Sequence, residues 1–348
     1  MNTKAYAALS ATTALEPFEL ERRTPGPFDV AIDILFCGVC HSDIHQARGE
    51  WTNSQFPMDP GPEIIGRVAR VGGEVTMVAA GDLVGVGCMV DSCRTCGPCR
   101  RDHEQFCTAG TAWTYNSTEM DRTTPTHGGY AQHVVVTERF VAKLPAGLDP
   151  AAAAPLLCAG ITTYSPLRQW GGKPGDRVAV VGLGGLGHMA VKLAVAMGAE
   201  VTVLSTSAAK AADARRLGAS AFVHSGDASA LDPLHDTIDL VIDTVSAPHD
   251  YNALLRLLRP YGAMALVGMP PRQGAAFDPF LLIDANRHLA GSAIGGMKET
   301  RDMLAFCAQH GIVSDIELIP IQQINRAFER VSSGDVRYRF VVDIASLG

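Results

Sequence analysis

At 348 residues the chain is long enough for two domains, each with its own core. Hydrophobic residues make up 47%, charged residues 19%, and the net charge is −7, which argues against a nucleic-acid or anionic-membrane surface. No apolar run is long enough to suggest a membrane span, and MNTKAYAALSATT lacks a signal peptide's continuous hydrophobic region, so a cytoplasmic location is expected. The nine cysteines are then expected as thiols and metal ligands rather than disulfides.

From residue 5 to 36 the pattern is short strands broken by Pro17, Pro25, Gly26 and Pro27. Residues 30–35 alternate as a strand that leads into Cys37-Gly38-Val39-Cys40-His41-Ser42-Asp43-Ile44-His45. Short strands and glycine turns continue through Gly61-Pro62-Glu63-Ile64-Ile65-Gly66 and residues 81–87, the pattern of an all-β, barrel-like domain. Cys93, Cys96, Cys99 and Cys107 follow as C-x2-C-x2-C-x7-C. Four thiolates this close can close a tetrahedral zinc cage with no position left for substrate. An iron–sulfur cluster is the other tetrathiolate reading.

After a strand at 132–136, the alanine-rich helical stretch at 151–160, with Cys158 near its end, marks the passage into a second domain. Residues 178–181 are a continuous apolar run, the mark of a strand buried on both faces of a parallel sheet. Gly182, Gly184 and Gly187 follow in G-x-G-x-x-G spacing, then an apolar helix at 188–197 and a second buried strand at 201–204. In such a unit the first glycine makes the tight turn. The second lets a pyrophosphate reach the backbone, and the third lets helix and strand pack closely. The helix N-terminus, reached through Gly185 and Leu186, offers free N–H groups to the phosphates.

The second strand ends in Ser205-Thr206-Ser207 with Lys210 just beyond, and Glu200 lies too early to reach a ribose. Hydroxyls and an ammonium suit a 2′-phosphate that an acid would repel, so NADP(H) is expected rather than NAD(H). Further buried strands at 238–243, 263–268 and 288–294, with a helix at 248–258, complete a doubly wound α/β sheet. Thr244, Val267, Gly268, Ser292 and Ile294 complete the expected nucleotide-binding set.

With CGVCHSDIHQ, the four-cysteine lobe, TYNS, PLLCAGITTYSPL, VGLGGLGH, STSAAK, IDTVSA, GSAIGGMKET and DVRYRFVVD in one order, the chain resembles the zinc-containing medium-chain alcohol dehydrogenases, in particular their cinnamyl alcohol dehydrogenase-like branch. The resemblance implies a GroES-like catalytic domain from 1–157 and 296–348, its structural zinc lobe at about 88–110. It implies a Rossmann NADP-binding domain at 158–295. It also implies a homodimeric oxidoreductase acting on primary alcohols and aldehydes. Cys40 and Cys158 match two catalytic-zinc ligands of that family, and Ser42 and His45 its proton relay. Trp51 and Trp113 match substrate-pocket positions, although either residue type also serves as plain core.

One position departs from the pattern. The family's G-H-E-x-x-G is here Gly61-Pro62-Glu63-Ile64-Ile65-Gly66, so proline, which has no donor atom, stands where a histidine ligand is expected. Glu63 could supply an oxygen in its place, giving two thiolates, a carboxylate and water. Three functions stay open at this point: a zinc-type aldehyde reductase, a zinc-free reductase of a polarised C=C or iminium bond, and a non-catalytic NADP(H)-binding protein.

Overall fold

The strand Asp29–Gly38 is central to the first unit of the computed structural model, which describes every residue except Thr52 and 271–275. Val30, Ala31, Ile32 and Ile34 are buried. This strand pairs antiparallel with Ile64–Val71, with His133–Thr137 and with Arg339–Asp343, near the end of the chain. Leu83–Val86 and Ala142–Lys143 extend the sheet on one side and Ile316–Pro320 on the other, giving seven strands. Residues 1–159 and 295–348 form this unit, so both ends of the chain contribute.

The alanine-rich stretch is not one helix. It forms an α-helical turn Pro150–Ala153 capped by the Asp149 carboxylate, then a 3-10 turn Ala154–Leu157. Cys158 itself is non-helical, at φ −127° and ψ −67°, before the helix Ala159–Trp170 begins. Pro155 explains the interruption, because it has no amide proton to continue the α-helical ladder.

Residues 160–294 form the second unit. Its six parallel strands lie in the order Ala221–His224, Glu200–Ser205, Arg177–Val181, Ile238–Asp243, Leu258–Leu266, His288–Gly291. Numbered along the chain this is 3-2-1-4-5-6, the doubly wound dinucleotide-binding order, with its switch point between Arg177–Val181 and Ile238–Asp243. The helix expected at 248–258 is shorter, Tyr251–Leu255, because Asp250 caps it by accepting from the Asn252 and Ala253 amides. At its far end Leu258 joins the sheet opposite Ile238. The last strand stops at Gly291, short of 294, and Ile294 takes a left-handed φ of 42°.

At the switch point Gly182 adopts φ +85°, which a residue with a Cβ rarely reaches, and its amide donates to the Leu204 carbonyl at 2.8 Å. A Cβ on Gly187 would overlap the Gly182 carbonyl oxygen, so helix Gly187–Ala196 can approach the strand only with glycine there. Gly187→Ala is therefore expected to destabilise the unit by about 1–3 kcal/mol. It should weaken NADPH binding as well. Chemical denaturation and a fluorescence titration would check the two effects, and an unchanged midpoint would contradict the packing argument.

Candidate active site

Cys40, Glu63 and Cys158 converge from three parts of the first unit, their ligand atoms all within 4.8 Å of one another and all three residues buried. Cys40 is the N-cap of helix His41–Ala47. Asp43 fixes it there: one carboxylate oxygen accepts from the Cys40 amide at 2.8 Å and from the Tyr130 hydroxyl at 2.9 Å. The other accepts from the Gly61 amide at 3.2 Å, tying the helix to the turn that precedes Glu63. Burial pushes the Asp43 carboxyl up to about 6 in spite of these bonds. The break in the helix at Cys158 delivers the second thiol, its Sγ 3.5 Å from that of Cys40.

Glu63 is fully buried, and its Oε1 pairs with the Arg339 guanidinium from the strand Arg339–Asp343. Its Oε2 is buried and has no hydrogen-bond partner among the described residues. A Cβ on Gly38 would overlap that oxygen, so glycine at 38 makes room for the carboxylate. Burial holds the Glu63 carboxyl well above the usual carboxylate range although Arg339 opposes this. Burial works against the charge on Arg339, yet Glu63 and the two thiols raise its pKa. The Cys40 thiol is pushed up first by its bond with Cys158 and then by burial.

Two thiols at this spacing ionise together only with a cation between them. Zinc–sulfur bonds of about 2.3 Å in a tetrahedron place sulfurs about 3.8 Å apart, close to the Cys40–Cys158 separation. With the orphaned Glu63 oxygen, the donor set fits one divalent ion and leaves a fourth position open. Pro62 is buried beside it and brings no donor. Cys88, which the motif reading passed over, places its Sγ 3.9 Å from the Leu157 carbonyl and helps raise the Cys158 thiol, against the Cys40 bond that lowers it.

Ser42 lies on the same helix, and its hydroxyl accepts from the Cys40 thiol at 3.4 Å. The His45 ring pairs through Nδ1 with Glu50 and is stacked between His41 and Trp51, at centroid distances of 4.8 and 5.4 Å. Ser42 and His45 share no direct hydrogen bond among the described residues. Trp51 is half-buried, whereas Trp113, on strand Ala112–Trp113, is exposed.

The ligand atoms of Cys93, Cys96, Cys99 and Cys107 also lie within 4.8 Å of one another, with the Cys93 and Cys99 sulfurs 4.0 Å apart. Backbone amides turn into this cluster: Cys96 N donates to Cys93 Sγ and Cys93 N to Cys107 Sγ, both at 3.3 Å. Amides of Cys99 and Thr108 bring the Cys96 thiol down to about 6. Burial pushes Cys99 up to about 12. Four convergent sulfurs in an amide-lined cage fit a closed structural zinc site.

In the second unit the remaining expected positions cluster at the carboxyl edge of the parallel sheet. Ser205 ends its strand, and its hydroxyl accepts from the Ser207 amide at 3.2 Å. Thr206 is exposed, and Lys210 closes the following 3-10 turn. Thr244 donates to the Val181 carbonyl at 2.7 Å. The Val267 and Gly268 amides both donate to the Asp243 carbonyl at 3.0 Å, and the Ser292 amide to that of Leu266 at 3.0 Å. Among the described residues nothing lies within 4 Å of where a Cβ on Gly184 would stand, at the turn that runs through Gly185 and Leu186.

A parallel dinucleotide-binding unit joined to a β-rich unit with a buried thiol–carboxylate cluster defines a two-domain dehydrogenase. The chain belongs to the zinc-binding alcohol dehydrogenases: residues 26–146 match the alcohol dehydrogenase GroES-like domain and residues 185–309 the zinc-binding dehydrogenase family. It is 54% identical to NADP-dependent alcohol dehydrogenase C 1 of Mycolicibacterium smegmatis, over 99% of this chain and 98% of the relative. It is 51% identical to aldehyde reductase YahK of Escherichia coli, over 100% and 99%. A cinnamyl alcohol dehydrogenase from Sorghum bicolor superposes with a TM-score of 0.96 at 43% identity, covering 99% of this chain and 98% of that one.

If the four-cysteine cluster is a structural zinc site, replacing any one of Cys93, Cys96, Cys99 or Cys107 with Ser should lower the melting temperature more than it alters nucleotide binding. Ligand deprotonation, metal binding and local folding are coupled, so the lobe should loosen without its ion. Protein isolated free of zinc, with these four thiols freely titratable, would overturn the assignment.

Proposed function

We propose that the chain is an NADP(H)-dependent aldehyde reductase and alcohol dehydrogenase acting on aromatic or medium-chain primary alcohols and aldehydes, as a homodimer. The observation that carries this reading is the buried convergence of Cys40, Cys158 and Glu63 in a chain that also has a doubly wound nucleotide unit. NADPH, when bound, would supply the hydride that reduces the carbonyl carbon, and the chain's own groups must deliver a proton to the carbonyl oxygen. Ser42, beside Cys40, would pass that proton and His45, oriented by Glu50, would take its replacement from solvent, a bridging hydroxyl or water carrying it between the two, which share no direct hydrogen bond. Trp51, stacked on His45, and Trp113 offer apolar faces to the substrate.

Cys40, Cys158 and Glu63 would hold the catalytic zinc. When bound, zinc polarises a carbonyl oxygen as a Lewis acid, worth several kcal/mol. Asp43 keeps Cys40 in place, and Arg339 restrains Glu63 by pairing with one of its oxygens. Pro62 favours a second reading, a reductase of polarised C=C or iminium bonds that needs no Lewis acid. Comparing NADPH oxidation across panels of aldehydes and enals separates the two.

With Ser205, Thr206, Ser207 and Lys210 at the strand end and no acid among them, NADPH should bind more tightly than NADH. Losing one charge-assisted contact to the 2′-phosphate costs roughly 1.5–3 kcal/mol, or about ten- to a hundredfold. Fluorescence titration of both nucleotides decides the point, and equal affinities would sink it.

Pro62→His should add a nitrogen donor and raise both zinc content and aldehyde reduction. A poorly held ion could cost about a thousandfold in rate, since each 1.4 kcal/mol is about tenfold. The substitution also frees φ at 62 and restores an amide proton, so zinc per chain must be measured beside the rate. Only the ligand explanation requires both to rise together. Wild-type protein that already holds two zincs and turns over aldehydes briskly would refute it.

A further inference from the structure

His249 belongs to none of the motifs read from the sequence, yet it has an unusual set of partners. It stands in the loop between the strand Ile238–Asp243 and the helix Tyr251–Leu255. Its Nε2 is 2.9 Å from Asp243 Oδ2, and its Nδ1 is 2.8 Å from the Ala247 carbonyl oxygen. Both partners are acceptors. A neutral imidazole has one N–H and can donate to only one of them, whereas an imidazolium donates to both. The charged surroundings favour the cation. Asp243 at the strand end is buried beside it, Asp250 at the helix cap adds a second negative charge, and the Tyr251 ring stands edge-on at 4.6 Å. The Asp243 hydrogen bond raises the pKa of His249, and only burial opposes it.

The loop this ring closes belongs to the floor of the nucleotide site. Asp243 accepts from the Val245 amide at 3.1 Å through Oδ1, so one carboxylate holds both the start of the loop and His249 near its end. Thr244 donates to the Val181 carbonyl at the head of the glycine turn. A Cβ on Gly182 would come within 2.9 Å of Thr244 Oγ1, and one on Gly268 within 2.5 Å of the Val245 carbonyl oxygen. Residues 244–245 are thus wedged between two turns at the carboxyl edge of the sheet.

We propose that His249 is a positioning residue whose second proton clamps the 244–249 loop against the Gly182 and Gly268 turns, making nucleotide affinity depend on proton binding at this ring. The inference rests on reading those turns as the nucleotide site. A group whose pKa is raised by folding contributes its stabilisation fully below its unfolded value and loses it as pH rises through the folded value. The clamp is therefore complete in mild acid and releases one of its two bonds as the pH climbs through the raised pKa. Linkage is reciprocal, so bound nucleotide must raise the pKa of His249 in turn.

The test is the dissociation constant of NADPH for wild-type protein and for His249→Gln, measured from mildly acidic to alkaline pH. Glutamine has a single donor nitrogen, so it cannot donate from two sides as an imidazolium does, and it does not titrate. Ionisation of the 2′-phosphate affects both proteins equally and cancels in their ratio. The expected ratio is about tenfold in favour of wild type in acid, falling towards one in alkali. A ratio independent of pH overturns the proposal. A second readout needs no variant: the His249 Cε1–H resonance of wild-type protein should titrate at higher pH when NADP+ is added, and an unmoved midpoint also overturns it. Equal affinity for NADPH and NADH would remove the 2′-phosphate reading of 205–210 while a pH-dependent ratio still upholds the clamp. Failure of wild-type protein to bind either nucleotide would overturn both.

Discussion

Burying a carboxylate beside two thiols is the constraint around which the first unit is arranged. Glu63 is fully enclosed, and without a countercharge its ionised form would cost several kcal/mol. Arg339 supplies that charge from the far end of the chain, and the antiparallel pairing of Arg339–Asp343 with Asp29–Gly38 brings it there. Glycine at 38 follows from the same need, since a side chain there would occupy the space of the carboxylate. One oxygen of Glu63 meets the guanidinium, and the other has no hydrogen-bond partner among the described residues. That asymmetry is what the proposed ion between the thiols would use.

Asp43 has a similar organising part. It binds the amide that begins a helix, the amide of a turn and a phenol, and so connects Cys40 to the segment that carries Glu63. Proline at 62, where the resemblance implies a histidine, brings no donor to the cluster, yet the Asp43 scaffold that holds Cys40 and the Glu63 segment together is intact.

Much of this was legible in the sequence where the physics is local. The glycine spacing, the apolar strand before it and the helix after it all lie within a short βαβ unit, and they name the parallel sheet directly. The tightly spaced cysteines are local in the same way. Arg339 was not legible, although it lies inside the quoted DVRYRFVVD, because its partner is 276 positions away and nothing in the spacing joins them. His249 escaped for a different reason: only the fold brings Ala247 and Asp243 to opposite sides of its ring. The helix expected at 248–258 was overlong because an apolar period cannot see a cap at Asp250 or a strand claiming Leu258. Cys158 read as helical for a like reason, its alanine neighbours being strong helix formers and Pro155 the interruption.

The interleaved order of the two units has a consequence for how the chain is made. A ribosome delivers residues 160–294 as one uninterrupted block, so that unit can close as soon as it emerges. The other unit must wait. Its strand Asp29–Gly38 is synthesised early and lacks its neighbour Arg339–Asp343 until the whole of 160–294 has been made, leaving an edge open in the meantime. Glu63 waits as well, for the guanidinium that pairs with it, Arg339, follows the nucleotide-binding block in the chain. A chain that stopped short of Arg339 would thus leave Glu63 without its countercharge and Asp29–Gly38 without a neighbour, while the nucleotide-binding unit already holds all of its strands.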